Sequence, residues 1–147
     1  MKKINLHIAR FKRFLPVLSL LLLLLSNCSM FKPKFDPVGH QYAVNIQKEA
    51  LALIGKAGES YSLHRDAVYL LMTRVERAYE NARTKYKNDG VTGIWDVMRN
   101  PEANRLARFM LDWEKEDVLA PGYRKEATKL LQENFKLLIE IEESKKK

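Results

Sequence analysis

The sequence of 147 residues has few of the residue patterns from which many functional sites are built. It contains a single cysteine, Cys28, so it can form no internal disulfide and offers neither a thiolate zinc set nor the paired cysteines of haem attachment. Its six glycines form no glycine-rich loop of the kind that holds phosphates. No run of alternating apolar and polar residues predicts a strand. These absences exclude disulfide scaffolds, attached-haem proteins and phosphate-loop enzymes.

The first 28 residues have the order of a secretory signal. A basic head precedes the eleven-residue, leucine-rich segment Leu15 to Leu25, and a short polar exit leads to Cys28. That segment is shorter than the roughly 20 apolar residues that cross a bilayer. The alternative is an uncleaved anchor, lengthened by upstream apolar residues: Ile4, Leu6, Ile8, Phe11 and Phe14.

The exit Leu25-Ser26-Asn27-Cys28 resembles the lipobox of bacterial lipoproteins, with Asn27 where that family usually has Gly, Ala or Ser. The resemblance implies that residues 1–27 are a signal peptide and that Cys28 carries a diacylglyceryl group and an N-acyl chain such as palmitate. Those chains would anchor the protein in a lipid bilayer. Ser29, in place of an inner-membrane retention aspartate, implies the periplasmic face of the outer membrane.

Removal of the signal changes the charge balance of the chain. The whole sequence has 26 Lys and Arg against 18 Asp and Glu, and five of the basic residues precede Cys28. The remaining 21 basic and 18 acidic residues give the mature chain a net charge of +3. Such a modest balance does not indicate a nucleic-acid-binding protein.

Helical periodicity dominates the rest of the chain and predicts an all-α fold, an antiparallel four-helix bundle at residues 38–147 behind a tether at 28–37. The predicted long helices cover 39–57, 60–87, 100–117 and 123–143, with a short helix at 92–98 between the second and third. The apolar stripe predicted for the second helix comprises Leu63, Ala67, Leu70, Leu71, Val75, Ala78, Tyr79, Ala82 and Tyr86.

No set of side chains indicates catalysis or a bound metal. His64-Arg65-Asp66 has the letters of a kinase catalytic loop, but the glycine-rich loop is missing, and Asp66 suits the first turn of a helix. A metal-binding bundle places Glu-x-x-His pairs on its inward faces, and His40 and His64 belong to no such pair. The sequence therefore predicts no catalytic residues, no metal and no cofactor.

Two features are candidates for contact with a partner. Trp95 lies beside the irregular connection, where an exposed tryptophan would be the best anchor for a protein partner. Asp112 and Glu116 belong to an acidic cluster at the end of the third predicted helix, where carboxylates oppose the helix dipole. A solvated helix face is the alternative explanation of the cluster, and it is the one that the sequence favours.

The sequence favours a membrane-anchored, non-enzymatic helical lipoprotein that binds another envelope protein or serves structurally. A second hypothesis is a carrier of a small ligand or metal with its site inside the bundle, because bundles often host such sites. A third starts from Lys147, the last residue, since the major murein lipoprotein joins a terminal lysine to peptidoglycan. The sustained heptads of that family are missing here.

Overall fold

Helices make up most of the part of the chain that the computed structural model describes, residues 33–146. Two short 3-10 helices, Tyr61–Leu63 and Pro101–Ala103, lie in the connections, and these residues contain no strand. The five α-helices are α1 (Pro37–Lys56), α2 (Arg65–Arg83), α3 (Asp89–Arg99), α4 (Leu106–Glu116) and α5 (Pro121–Ser144).

The all-α prediction is confirmed, but the third predicted long helix is interrupted. After the 3-10 turn, Asn104 adopts a left-handed conformation with φ 47°, and α4 begins only at Leu106. Asparagine tolerates this conformation better than most residues, and a helix cannot continue through it. The predicted short helix, in contrast, extends to the eleven residues of α3. The described chain therefore has five α-helices of two length classes.

Helix α1 is held by its cap and by small residues. Asp36 caps it by accepting a hydrogen bond from the Val38 amide at 3.1 Å, and Pro37 occupies the first turn, where its missing N–H costs nothing. Ala43, Ala50 and Ala57 are all buried along one side. Their seven-residue spacing leaves room for the close approach of α2 and α5, which both pack on α1.

Helix α2 buries a different face from the one predicted. Leu63 and Leu70 are 73% and 53% exposed, and Ala67 is also exposed. Leu70 and Leu71 are adjacent, so a helix can turn only one of them fully inward, and it turns in Leu71. The prediction of Leu63, Ala67, Leu70 and Tyr86 as core is wrong. The buried residues of α2 are Val68, Leu71, Val75, Ala78 and Ala82.

Neighbouring helices run in opposite directions. Asp36 before α1 meets Glu142 near the end of α5, while Arg124 near the start of α5 donates to the carbonyl of Gly55 at the end of α1. Helix α2 pairs with α1 on one side and with α3 on the other, and α3 also contacts α5. One side-chain contact between α2 and α3 is the guanidinium of Arg99 over the ring of Tyr79, at 3.8 Å.

One continuous apolar core runs through these helices. Both tryptophans belong to it: Trp95 packs edge-on against Phe135 at 6.2 Å, and Trp113 packs edge-on against Tyr61 at 5.6 Å. Among residues 33–146, no helix combines the length and apolar character needed to cross a bilayer.

Candidate functional site

The predicted lipobox lies outside the described residues, as does Lys147. This applies to Leu25, Ser26, Asn27 and to the predicted lipidation site, Cys28. The first described residue, Pro33, follows Cys28 by five positions.

Trp95 does not meet the condition set for a partner contact. Its side chain is 1% exposed and lies between α3 and α5, in contact with Phe135. The exposed alternative for Trp95 is therefore not observed. Trp95 lies in the predicted short helix, which α3 extends, and it falls on the buried side of that helix with Val91 and Met98.

The acidic cluster after α4 divides into separate contacts. Asp112 accepts a hydrogen bond from the Tyr123 hydroxyl at 2.7 Å and forms an ion pair with Arg108 at 2.9 Å. The backbone of Asp117 has a positive φ of 62°. Its carboxylate accepts hydrogen bonds from the Ser60 hydroxyl and the Tyr61 amide. Glu116 is exposed. Asp112 and Asp117 thus hold α4 to its neighbours instead of forming one acidic surface.

The two histidines of the described residues lie apart, and each has a neighbouring carboxylate. His64 shares a hydrogen bond of 2.8 Å with Glu59 and lies 5.4 Å from the ring of Trp113. His40 lies 3.4 Å from a carboxylate oxygen of Glu143. No group of three His, Cys, Asp or Glu side chains within the described range is placed to hold a metal ion.

The described structure contains a cavity of about 150 Å³ between the start of α4 and the second and third turns of α5. Its apolar wall combines two aromatic and three aliphatic side chains. The rings of Phe109 and Tyr123 stack on each other with their centroids 5.6 Å apart. The apolar wall consists of Phe109, Tyr123, Ala127, Leu130 and Leu131.

The polar side of the cavity carries charges of both signs. Arg105 and Glu126 line it together with Asn104, and because Asn104 and Glu126 are exposed, the cavity opens to solvent on that side. The Nε–H of Arg105 is buried and has no hydrogen-bond partner. Buried polar groups normally have a partner, so this donor marks a place for an acceptor.

The start of α4 adds to the attraction of this site for an anion. Arg105 occupies the N-cap position, and no side chain caps the first turn. The first amides of a helix have no partner within the helix, and the helix dipole places partial positive charge there. Positive charge from the guanidinium and from the helix end therefore lies on the same side of the cavity.

Tyr123 keeps its hydroxyl proton over a wide pH range. Burial raises the pKa of this phenol, and the hydrogen bond to the Asp112 carboxylate and its negative charge raise it further, to about 12. The ring is held on one face by Phe109 and at its hydroxyl by Asp112. The aromatic side of the cavity is therefore fixed before any ligand arrives.

A second polar feature lies at the opposite end of α5, where the chain enters α1. Glu142 is 1% exposed and accepts hydrogen bonds from the Asp36 amide at 3.2 Å and from Lys145 at 2.6 Å. The same lysine donates to Asn88 at 2.5 Å, and Asn88 donates to the Ala82 carbonyl at 3.1 Å. This buried network joins the entry of α1, the end of α2, the start of α3 and the end of α5.

Asp36 adds a carboxylate to the same network. Asn81 donates to it at 2.6 Å, and Lys85 lies 3.6 Å away. Burial by itself raises the pKa of Asp36, but the hydrogen bonds from Asn81 and from the Gly39 amide, with the charge of Lys85, hold it below its usual value. The carboxylate is thus kept ionised at the junction between tether and helices.

No protein-family model, curated protein or solved structure matches this chain.

Sequence reasoning missed both the cavity and the buried network. The cavity depends on the break at Asn104, which places Arg105 outside the helix that the periodicity predicted. Glu142 and Lys145 are three residues apart on a helix, the ordinary spacing of a surface ion pair. The sequence does show many polar residues near the ends of the predicted helices. That pattern does not identify which of them are buried.

Proposed function

We propose that this chain is a membrane-anchored, non-enzymatic lipoprotein of the bacterial envelope that binds another envelope protein through α2. The observation that carries the binding role is the exposure of large apolar side chains in the first turns of that helix and in the 3-10 turn just before it. Leu63, Tyr69 and Leu70 are 73%, 71% and 53% exposed. Neighbouring exposed apolar residues on one protein are typical of an interaction surface.

The charges around these residues suggest the chemistry of the partner. Arg65 and Arg77 are exposed on the same helix, and Arg74 forms an ion pair with Glu49 of α1. Arginine and tyrosine are both enriched at the centres of protein interfaces. A partner surface with apolar side chains, and with acidic residues opposite Arg65 and Arg77, would complement α2.

The bundle architecture belongs to this proposal. Helices α1, α2, α3 and α5 form a closed series of antiparallel neighbours, and α4 packs beside them. In such a bundle each helix packs against neighbouring helices, and its remaining face meets solvent. We assign the antiparallel four-helix bundle to these four helices, with α4 as an addition to it.

The anchor determines how near the membrane the domain lies. Five residue steps separate Cys28 from Pro33, and an extended chain covers at most about 3.6 Å per residue, so the tether reaches about 18 Å. Lipidation at Cys28, with two or more acyl chains, would hold the protein stably on the periplasmic face of the outer membrane.

Two measurements test the proposal separately. Cys28→Ser should release the protein from the membrane fraction, and unchanged retention would contradict the lipid anchor. Binding is tested by crosslinking in intact envelopes with Leu70→Glu and, as matched control, Leu137→Glu on α5, whose leucine is 48% exposed. Loss of a crosslinked partner with the first variant alone supports α2, and equal retention or equal loss with both contradicts it.

The cavity at Arg105 favours a second candidate, a carrier of a small ligand. It is lined by both charged and aromatic side chains, which is typical of ligand sites. The site predicted inside the bundle with His40 or His64 is not the one observed, since neither histidine lines this cavity. The carrier role requires neither enzymatic activity nor a cofactor.

A further inference from the structure

We infer that the cavity between α4 and α5 binds a free α-amino acid with an aromatic or branched apolar side chain. The inference deepens the carrier candidate and depends on neither the lipid anchor nor partner binding by α2. It starts from two observations: Arg105 lines a cavity that also carries Glu126 and an apolar wall, and the Nε–H of the same arginine is buried without an acceptor.

The polar side of the cavity recognises two opposite charges. A ligand carboxylate would accept from Arg105, where the uncapped start of α4 adds partial positive charge. Glu126 also lines the cavity and suits an ammonium group. A simple carboxylic acid would use the first contact and be repelled by Glu126. A free amino acid satisfies both, because its two charges sit on one carbon atom.

The apolar part sets the size of the side chain. A cavity of this volume, lined by apolar side chains, accommodates a benzene ring. Phe109 and Tyr123 supply aromatic surface to the cavity, and Leu130 and Leu131 complete the wall. A phenyl or branched aliphatic side chain therefore fits, while a two-ring body would exceed the volume.

Peptide ends are weaker ligands for the same geometry. A residue inside or at one end of a peptide has at most one of the two charges, since the other has become an amide. Such a ligand would leave either Arg105 or Glu126 without its partner on desolvation, which costs binding free energy. The site therefore selects the free amino acid over the same residue in a chain.

Calorimetric titration of the full-length protein in lipid nanodiscs, with empty nanodiscs as blank, tests this inference. L-phenylalanine should bind saturably, and 3-phenylpropanoate, phenethylamine and N-acetyl-phenylalanine should each bind at least about tenfold more weakly, since each lacks one charge. A dissociation constant of about 1 mM already corresponds to weak binding. Absence of saturable phenylalanine binding up to about 10 mM would therefore overturn the inference.

Variants locate the site. Arg105→Gln should weaken phenylalanine binding by at least about tenfold. Glu126→Gln should reduce the preference for phenylalanine over 3-phenylpropanoate, and Ala127→Leu should abolish binding by filling the cavity. Lys125→Gln, an exposed neighbour on α5, is the control and should bind as the original protein does. Unchanged affinity in both Arg105→Gln and Ala127→Leu, with helical content retained by circular dichroism, would place any binding elsewhere and overturn the inference.

Discussion

At the residue scale, the most consequential side chain is Glu142. A carboxylate that is 1% exposed is tolerated because Lys145 and the Asp36 amide both donate to it. Burying a charge is costly, and the attraction of a close partner offsets that cost only while both members are present. Glu142 therefore contributes more to the integrity of the fold than its place in a lysine-rich tail suggests.

Replacing Glu142 by alanine should lower the free energy of unfolding by about 3–5 kcal/mol, because it leaves Lys145 buried without its carboxylate. Urea denaturation followed by circular dichroism measures this change. The exposed Glu140, 3.8 Å from Lys136, is the control, and its replacement by alanine should change stability by no more than about 0.5 kcal/mol. Equal effects of the two substitutions would contradict the buried network.

The second residue-scale prediction concerns acid. Because the folded protein holds the pKa of Asp36 below its usual value of 3.8, the unfolded chain binds a proton first as the pH falls. The stability that the Asp36 charge contributes is present above about pH 4 and is lost as the pH falls through the lower folded pKa. Asp36→Asn, which keeps the helix cap, should therefore be less stable than the original protein at pH 6, and the difference should shrink toward pH 3.

Urea denaturation at both pH values checks this linkage. A constant difference between Asp36→Asn and the original protein at the two pH values would show that the charge of Asp36 is not the cause.

At the element scale, the rotation of α2 about its axis decides which leucine is core and which is surface. Leu71 is 1% exposed and Leu70 is 53% exposed, although they are adjacent in sequence. The predicted stripe mixed residues of both faces, because the helix has apolar residues over more than the roughly 100° that a neighbouring helix covers. That excess of apolar surface is what makes α2 the candidate docking helix.

The rotation makes a direct prediction for two neighbouring substitutions. Leu71→Ala should cost about 2–5 kcal/mol of stability, since it leaves a cavity against α1 and α3, whereas Leu70→Ala should cost less than about 1 kcal/mol. Thermal or urea unfolding of the two variants gives the comparison. If Leu70→Ala proved the more destabilising, the orientation of α2 described here would be incorrect.

Helix α4 shows how an irregular connection creates a site. The left-handed Asn104 ends the preceding turn, and the chain re-enters a helix at Leu106 with Arg105 between them. This places a guanidinium beside the first turn of α4 and beside the aromatic pair of Phe109 and Tyr123. An unbroken helix, as the periodicity predicted, would have carried Arg105 on its surface.

At the scale of the whole molecule, the described residues share one core, and each tryptophan reports a different part of it. Trp95 lies between α3 and α5, and Trp113 donates from its indole nitrogen to the carbonyls of Glu59 and Asp117, both at 3.1 Å. A single core of this size is expected to unfold in one cooperative transition.

Single-tryptophan variants, Trp95→Phe and Trp113→Phe, should therefore each show one unfolding transition that coincides with the loss of helix by circular dichroism. Emission should be blue-shifted before the transition, because both rings are 1% exposed or less. These conservative substitutions lower the unfolding midpoint of each variant. The fluorescence and circular dichroism midpoints of one variant should still coincide. Fluorescence and circular dichroism midpoints that differ within one variant would show that α4 unfolds independently of the other helices.

The helical class and most of the core followed from the sequence alone, since the spacing of apolar residues constrains which side of a helix is buried. In α1 the predicted positions Ile46, Ala50 and Ile54 are buried, while Tyr42 and Leu53 are half-buried. In α5, Ala127, Leu131, Phe135 and Leu138 are buried as the spacing predicts, and Leu130 and Ile141 are half-buried. The signal peptide and the lipobox were also predicted from the sequence alone, from residues 1–28. They stay predictions, because those residues lie outside the described structure.

Tertiary structure alone decided the rotation of α2, the burial of Trp95 and Glu142, and the cavity at Arg105. Each depends on which helices meet, and two side chains far apart in the sequence, such as Asp36 and Glu142, have no local pattern that records their contact. Local periodicity describes one helix at a time. The partners of a polar side chain, and hence whether it is a surface charge, a buried network or a binding site, are properties of the packed molecule.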